Sequence, residues 1–376
     1  MHTSALILQV WAAAAIALLV DRWLGEPPVR WHPVVWMGRY LQAAGAWLQA
    51  RVQAGNAAHA SRAGAPVATD TASTADATGT VNAAGVAGAA GVADTSDVPD
   101  APDYPSFWRG AYAWLGGALL VLLPACLLQW LLWQLPWLAG TVLMGLLLKP
   151  LLAWRMLAQE VLAVEHALAQ SLEAGRQQLA RIVSRDVQQL NACQIRESAL
   201  ESLAENLNDS VIAPLCWFGL LGLPGAALYR YADTADSMWG YRGTYRGQCW
   251  EWAGKWAARV DDALAWLPAR IAALALSLAS SGWQHLCRLR AEACHTPSPN
   301  SGWPMAAMAL ALNIRLRKPG VYTLHAAGSP PQPDHAAQAI RLGQRTIWLA
   351  LAAMPIATAA WILGARACLQ LLALPT

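Results

Sequence analysis

Six apolar runs divide the chain: Ala5–Val20, Ala111–Trp133, Trp137–Leu152, Val211–Tyr229, Ala263–Trp283 and Ile347–Gly364. Runs of this kind with few charges read as membrane helices. Only Gln134, Leu135 and Pro136 separate the second run from the third, which predicts a tight transmembrane hairpin. The fourth run is interrupted by Pro214, Gly219, Gly222, Pro224 and Gly225, and the fifth contains Pro268 and Arg270. Broken apolar segments persist at membrane depth where they are buried in protein or line a cavity. Between 153 and 192 the apolar residues Val161, Leu162, Leu168, Leu172 and Leu179 keep helical spacing among polar ones, so a helix leaves the membrane there. The pattern predicts an all-α, polytopic helical membrane protein with about four to six membrane segments, some re-entrant, and a polar helix and loop site at one face.

The same pattern sets the domain organisation. Residues 1–49 hold the first membrane helix and a Pro-rich loop, Asp21–Tyr40, in which Pro27, Pro28 and Pro33 keep acids, bases and His32 near the membrane surface. The first run lacks a basic leading segment and a small-residue cleavage site, which favours a retained helix over a signal peptide. Residues 50–106 are Ala, Gly, Thr, Asp and Val with almost no large side chains, too little apolar surface to offset ordering entropy. They read as a disordered insertion with no part in chemistry. A hairpin (107–153), a catalytic helical region (154–346) and a C-terminal membrane helix (347–376) complete the chain.

Composition agrees with a membrane protein: 376 residues, 56% hydrophobic, 13% charged, mean hydropathy +0.31. A net charge of +3 with scattered basic residues gives no support to nucleic-acid binding. The seven cysteines have no CxxC pair and read as reduced thiols. Most of the 26 basic residues lie in 21–110, 149–208 and 284–346, which the positive-inside rule places in the cytoplasm if all six runs cross. Six crossings would put Tyr231–Asp262 on the opposite side from the acids of 197–209, so 211–229, and with it 263–283, is expected to enter and leave on one face.

Candidate chemistry concentrates in Arg196–Pro214, where Glu197, Glu201, Glu205 and Asp209 recur every four residues. On a helix they form one stripe of mutually repelling carboxylates. No Lys or Arg is interleaved, so a cation from outside the chain, a divalent metal carrying a phosphate, is the expected partner. Asp233, Asp236, Arg242 and Arg246 form a second cluster, and Arg259, Asp261 and Asp262 a third. Paired acids can share a metal and arginines can hold phosphate oxygens. A loop at His295–Pro304 offers Ser298, Asn300 and Ser301 as neutral partners for phosphate or carboxamide. No GxxxxGK[ST], GxGxxG or GxSxG motif occurs.

Several of these pieces, in one order, resemble adenosylcobinamide-phosphate synthase, the membrane ligase family of cobalamin biosynthesis. They are Asp21 with Gly25–Pro28, His32-Pro33, Arg185-Asp186, Glu201–Asn206 with Asp209, Asp236–Arg242, Ala258–Asp262, Pro268–Arg270 and Ser298–Pro304. Departures from the family pattern fall at Asp233, Ala235, Ala265 and Met305 and spare the acidic stripe.

The resemblance implies ATP-dependent amide formation between adenosylcobyric acid and (R)-1-amino-2-propanol phosphate or the free amino alcohol. A multi-pass protein of the bacterial inner membrane is implied, with a cytoplasmic active face, a corrinoid substrate and other corrinoid-pathway enzymes as possible partners. It further implies that Glu201, Glu205, Asp209 and Asp236 hold Mg2+ and, with Asn206, ATP; that Arg185, Arg242 and Arg259 neutralise phosphate charge; and that Asp261 or Asp262 deprotonates the attacking ammonium. Ser298, Asn300 and Ser301 would bind the amino alcohol phosphate or the corrin amides. Glu197, outside the core of the motif, would be a solvated neighbour. A non-enzymatic sensor similar to relatives associated with β-lactamase induction, a membrane alcohol phosphotransferase and a scaffold for corrinoid enzymes are the other readings of the same chain.

Overall fold

The computed structural model describes residues 3–62, 102–280 and 282–372. Their order is α1 (Thr3–Leu24), α2 (Pro33–Arg62), α3 (Tyr104–Gln134), α4 (Trp137–Leu148), α5 (Trp154–Gln170), α6 (Leu172–Leu179), α7 (Ala192–Leu207), α8 (Ala213–Leu221) and α9 (Leu223–Trp239). A two-residue strand pair, β1 (Thr244–Tyr245) and β2 (Gln248–Cys249), precedes α10 (Lys255–Ala279), α11 (Leu286–Ala293) and α12 (Gly302–Leu312). A second pair, β3 (Leu316–Lys318) and β4 (Tyr322–Leu324), then leads into α13 (Pro333–Leu372). The protein is an all-α polytopic membrane protein, and among the described residues its only strands are these two short hairpins.

Among the described residues five segments are long and apolar enough to cross a bilayer: Ser4–Leu24, Tyr104–Gln134, Trp137–Gln170, Lys255–Ala279 and Pro333–Gly364. The α3 face carrying Leu119, Leu120, Leu123, Leu127 and Trp130 is exposed, as a lipid-facing surface must be. The inward faces use small residues. A Cβ at Gly145 on α4 would stand 2.8 Å from the Ala13 carbonyl of α1, so only glycine permits this close approach.

Three sequence expectations are refined. Helix α2 continues to Arg62, beyond the position where the insertion was expected to begin, while 63–101 lies outside the described residues. The fourth apolar run is not one segment: Gly222, at φ 71°, turns the chain between α8 and α9, and Gln129 Oε1 accepts from the Leu223 N–H (2.7 Å) to seal the turn. The Tyr229 hydroxyl comes back within 3.1 Å of Asp209, so the two arms run antiparallel. The fifth run starts earlier than its apolar residues suggest, with Asp261 and Asp262 already inside α10, which passes through Pro268 unbroken.

A further consequence concerns sidedness. Were α10 simply to separate its flanking segments, the 295–301 loop would lie far from Asp262. Instead Asn300 Nδ2 donates to the Asp262 carbonyl (2.8 Å), and Arg270 donates to Asn300 Oδ1 (2.7 Å) and the Pro299 carbonyl (3.0 Å). Polar groups from both sides of α10 therefore meet in one place.

The Pro-rich loop after α1 folds inward. Lys149 Nζ lies 2.7 Å from Glu26 and 3.4 Å from Asp21, His32 Nε2 lies 3.2 Å from the same Glu26 oxygen, and Asp21 Oδ2 accepts from the Arg155 N–H. Asp21, His32 and Lys149 are buried, so this ionic knot is a tie between α1, α2 and the α4–α5 turn. The Ala153 N–H of that turn donates to the Ser210 carbonyl (3.2 Å), next to Asp209.

Candidate active site

Helix α7 begins with a reciprocal cap in which Asn191 Oδ1 accepts from the Gln194 N–H and Gln194 Oε1 from the Asn191 N–H. It ends in a π-helical turn, Asn208–Ile212, a distortion that recurs at functional sites. In that turn Asp209 Oδ1 accepts from Asn208 Nδ2 (2.8 Å) and from the Tyr229 hydroxyl (3.1 Å). Arg230, fully buried, donates to the Asp209 carbonyl, to Ser210 Oγ and to Asp233 Oδ2 (2.8 Å). The hairpin of α8 and α9 thus locks the second acid cluster against the end of the first.

These elements enclose a cavity of about 310 Å³. Six carboxylates line it: Glu205, Asp209, Asp233, Asp236, Asp261 and Asp262. Arg242, Ser298, Asn300 and Ser301 share the lining with Lys318 and Tyr322 of the second strand pair. A small side compartment lined by Arg185, Ser198 and Glu201 adjoins it, and Glu205, Lys318 and Tyr322 face both spaces.

Acid crowding shows in the proton affinities. Burial first, then Asp209, raises Glu205 well above the ordinary carboxylate range, despite the opposing charge of Lys318. Asp209 is pushed up to about 6 by burial, against its hydrogen bonds from Asn208 and Tyr229. Asp236 is pushed up to about 7 by burial, then by Asp262 and Asp209. Such a wall favours an incoming cation.

The donor set fits magnesium of one kind. Among the described residues no three His, Cys, Asp or Glu side chains form a ready-made metal cage. The acids are instead spread around a cavity, and Asp261 Oδ1 is shielded with no hydrogen-bond partner. Carboxylate oxygens are the donors that a partly hydrated Mg2+ ion takes.

Not every sequence candidate reaches the cavity. Glu205, Asp209, Asp236, Asp261, Asp262, Arg242, Ser298, Asn300 and Ser301 line it. Arg185 and Glu201 face each other in the side compartment across 2.9 Å, with Arg185 also donating to Ser198 Oγ. Asn206 is buried and donates to the Ser202 carbonyl of its own helix, outside the lining. Arg259 is exposed and also outside it. Glu197 is not solvated as expected. It is fully buried, 3.2 Å from Arg317 and 3.8 Å from Arg315. The stripe therefore divides, its two upstream acids paired internally with arginines of the β3 strand and of the segment before α7, and its two downstream acids turned to the cavity. The loop residues are also partly committed, since Ser298 Oγ accepts from the Asn300 and Ser301 N–H groups and both ends of the Asn300 amide are used.

Sequence reasoning missed Tyr229, Arg230, Lys318 and Tyr322. An arginine directly after an apolar run, three residues before Asp233, was the available signal for Arg230, because a buried cation requires an acid. Nothing local marks Lys318, which sits in an ordinary basic turn sequence, Arg315–Gly320.

Comparison with known proteins decides the family. The profile of the family described as CobD/Cbib protein matches residues 90–354. The chain belongs to this family. It is 36% identical over 361 residues to the cobalamin biosynthesis protein CobD of Chromobacterium violaceum, covering 93% of this chain and 96% of that one. It is 32% identical over 363 residues to the probable cobalamin biosynthesis protein CobD of Thermococcus kodakarensis, covering 95% and 97%. A segment of 248 residues is 41% identical to CobD of Stutzerimonas stutzeri, covering 62% of this chain and 78% of that relative. No solved structure matches the chain.

Proposed function

We propose that the protein acts in cobalamin biosynthesis as an ATP-dependent amide ligase of the bacterial inner membrane, with its site open to the cytoplasm. It would join the free propionate of adenosylcobyric acid to (R)-1-amino-2-propanol phosphate or the free amino alcohol. The observation that carries the reading is the cavity in which six carboxylates from α7, α9 and α10 and the turn after α7 meet Arg242 and Lys318. The names of the relatives support the pathway.

A carboxylate resists attack by an amine and needs activation. In the proposed sequence a propionate oxygen attacks the γ-phosphorus of ATP and the bond to the β–γ bridging oxygen breaks, its electron pair leaving with ADP. The amine then attacks the acyl carbon and inorganic phosphate departs. Magnesium bound with the nucleotide would supply charge neutralisation and orient the γ-phosphoryl group, held by Glu205, Asp209 and Asp236. Asp261 or Asp262 would take the proton that the substrate ammonium must lose before it attacks. The acids would also draw that ammonium into the cavity. A cavity of about 310 Å³ would take a propionate arm, with the corrin ring left outside. Glu201 would act as the partner that holds Arg185, and Asn206 and Arg259 take no direct part in this arrangement.

Purified full-length protein given adenosylcobyric acid, amino alcohol phosphate and Mg-ATP should form the amide, with ADP and phosphate in equal amounts. Mass spectrometry reads the product. Absence of both amide and nucleotide turnover would remove the ligase reading and leave a sensor or scaffold.

A further inference from the structure

We infer that Lys318 is a catalytic residue of this site, its ammonium binding the phosphoryl group during transfer where the two compartments meet. The inference rests on the ligase reading and adds a residue that the sequence motifs do not contain.

The argument starts from the cations. Of the three arginines expected to neutralise phosphate, Arg259 is exposed outside the lining and Arg185 is turned into the side compartment, paired with Glu201. Among the described residues lining the main cavity, the basic side chains are Arg242 and Lys318. Arg242 is exposed, whereas Lys318 is 8% exposed and faces both compartments. Burial and then the nearby Arg185 lower the proton affinity of Lys318, against the carboxylates Glu205 and Glu201, which favour its charged form.

The local structure explains how it arrives. In the β3–β4 pair Lys318 stands directly opposite Tyr322, so both side chains emerge on one face, and both line the cavity. Strand alternation sends the preceding Arg317 elsewhere, to Glu197 at 3.2 Å. One arginine anchors the hairpin to α7 while the next residue enters the site.

The chemistry needs such a group. An acid-lined cavity receives a substrate carboxylate and a triphosphate, and the transferred group spreads negative charge over its three equatorial oxygens. A lysine is a compact charge with three donors on a flexible stem, suited to following a phosphoryl group from ADP to the carboxylate. In the proposed step Lys318 acts through its charge and its hydrogen bonds, with no proton passed to or from it. It donates hydrogen bonds to the γ-oxygens while the bond to the bridging oxygen breaks and the new bond to the propionate oxygen forms.

The test uses full-length protein in detergent or nanodiscs and compares Lys318→Met and Lys318→Arg with wild type. Lys318→Met should lower kcat for amide formation about 100-fold or more, the usual effect of removing one preorganised charge partner of a transition state. The corrinoid KM and the unfolding temperature should stay near wild type, which a merely structural tie would not allow. Lys318→Arg, which restores charge, should recover at least about a tenth of wild-type kcat. Should Lys318→Met fail to fold, the arginine variant decides alone, retention above that tenth supporting the proposal and a lower value overturning it. A Lys318→Met enzyme within about threefold of wild-type kcat, or one whose loss tracks a fallen unfolding temperature, also overturns it. Failure of the underlying ligase reading looks different, because wild-type protein itself would then bind no Mg-ATP by calorimetry and make no amide.

Discussion

The Tyr229 hydroxyl donates to Asp209 Oδ1 across 3.1 Å, joining the beginning and the middle of a helical hairpin that turns at Gly222. This bond aims one carboxylate of the cavity. Removing it in Tyr229→Phe leaves the apolar packing in place and frees Asp209 to rotate. A loss of one buried hydrogen bond to a charged group costs about 1.5–3 kcal/mol at most. The expected outcome is a folded protein whose Mg2+ requirement rises several-fold, read from amide formation against Mg2+ concentration. An unchanged Mg2+ curve would show that Asp209 is held by Asn208 alone.

Proton and metal should compete for the same wall. Burial raises Glu205, Asp209 and Asp236, the last two to about 6 and about 7. The folded, metal-free protein therefore binds protons that the unfolded chain has lost, and its stability should increase as pH falls through the window from about 7 to about 4. Magnesium binds the deprotonated acids, so its stabilising effect should run the other way. Thermal unfolding in detergent should show a larger Mg2+-induced rise near pH 8 than near pH 5.5, and an equal rise at both would contradict the assignment.

The Arg185–Glu201 pair is predicted to be a structural partner of the site. Both side chains are largely buried and 2.9 Å apart. Glu201→Ala leaves a guanidinium buried without its acid, at an expected cost of about 3–5 kcal/mol. Glu201→Gln, retaining an acceptor for Arg185, should be milder. The check is unfolding temperature measured beside kcat. If Glu201→Gln abolished turnover at full stability, Glu201 would be restored to the metal set.

Asn300 connects the polar loop to α10 through its donation to the Asp262 carbonyl and its acceptance from Arg270. Asn300→Ala removes both bonds and loosens the loop, which keeps only the donation from Arg270 to the Pro299 carbonyl among these ties. Since Asp262 itself remains, the expected effect is a rise in substrate KM greater than the fall in kcat, measured for both corrinoid and amino alcohol. Asn300→Asp should behave worse than Ala in kcat, because it adds another carboxylate beside Asp262.

Five of the six apolar runs mark the five long spans of the described residues, and the Pro136 break marks the α3–α4 hairpin, because lipid requires every backbone group in a span to be satisfied within its own helix. The breakers in 211–229 forecast that this segment would not cross as one piece. Spacing alone also put Glu205 and Asp209 on one helix face with Glu197 and Glu201. It could not foresee that Arg317, far along the chain, and Arg185, in the segment before α7, would claim the upstream two, since both contacts depend on how the chain folds back on α7.

The sequence by itself determined which helices form and where acid accumulates, both being matters of local periodicity and composition. Tertiary structure alone decided which acids share a cavity and which cations face them. The turn at Gly222, the return of the 295–301 loop across α10 and the two-residue alternation of β3 bring Asp209, Asp262 and Lys318 to one space. Each of those is a packing outcome, set by how helices close around one another.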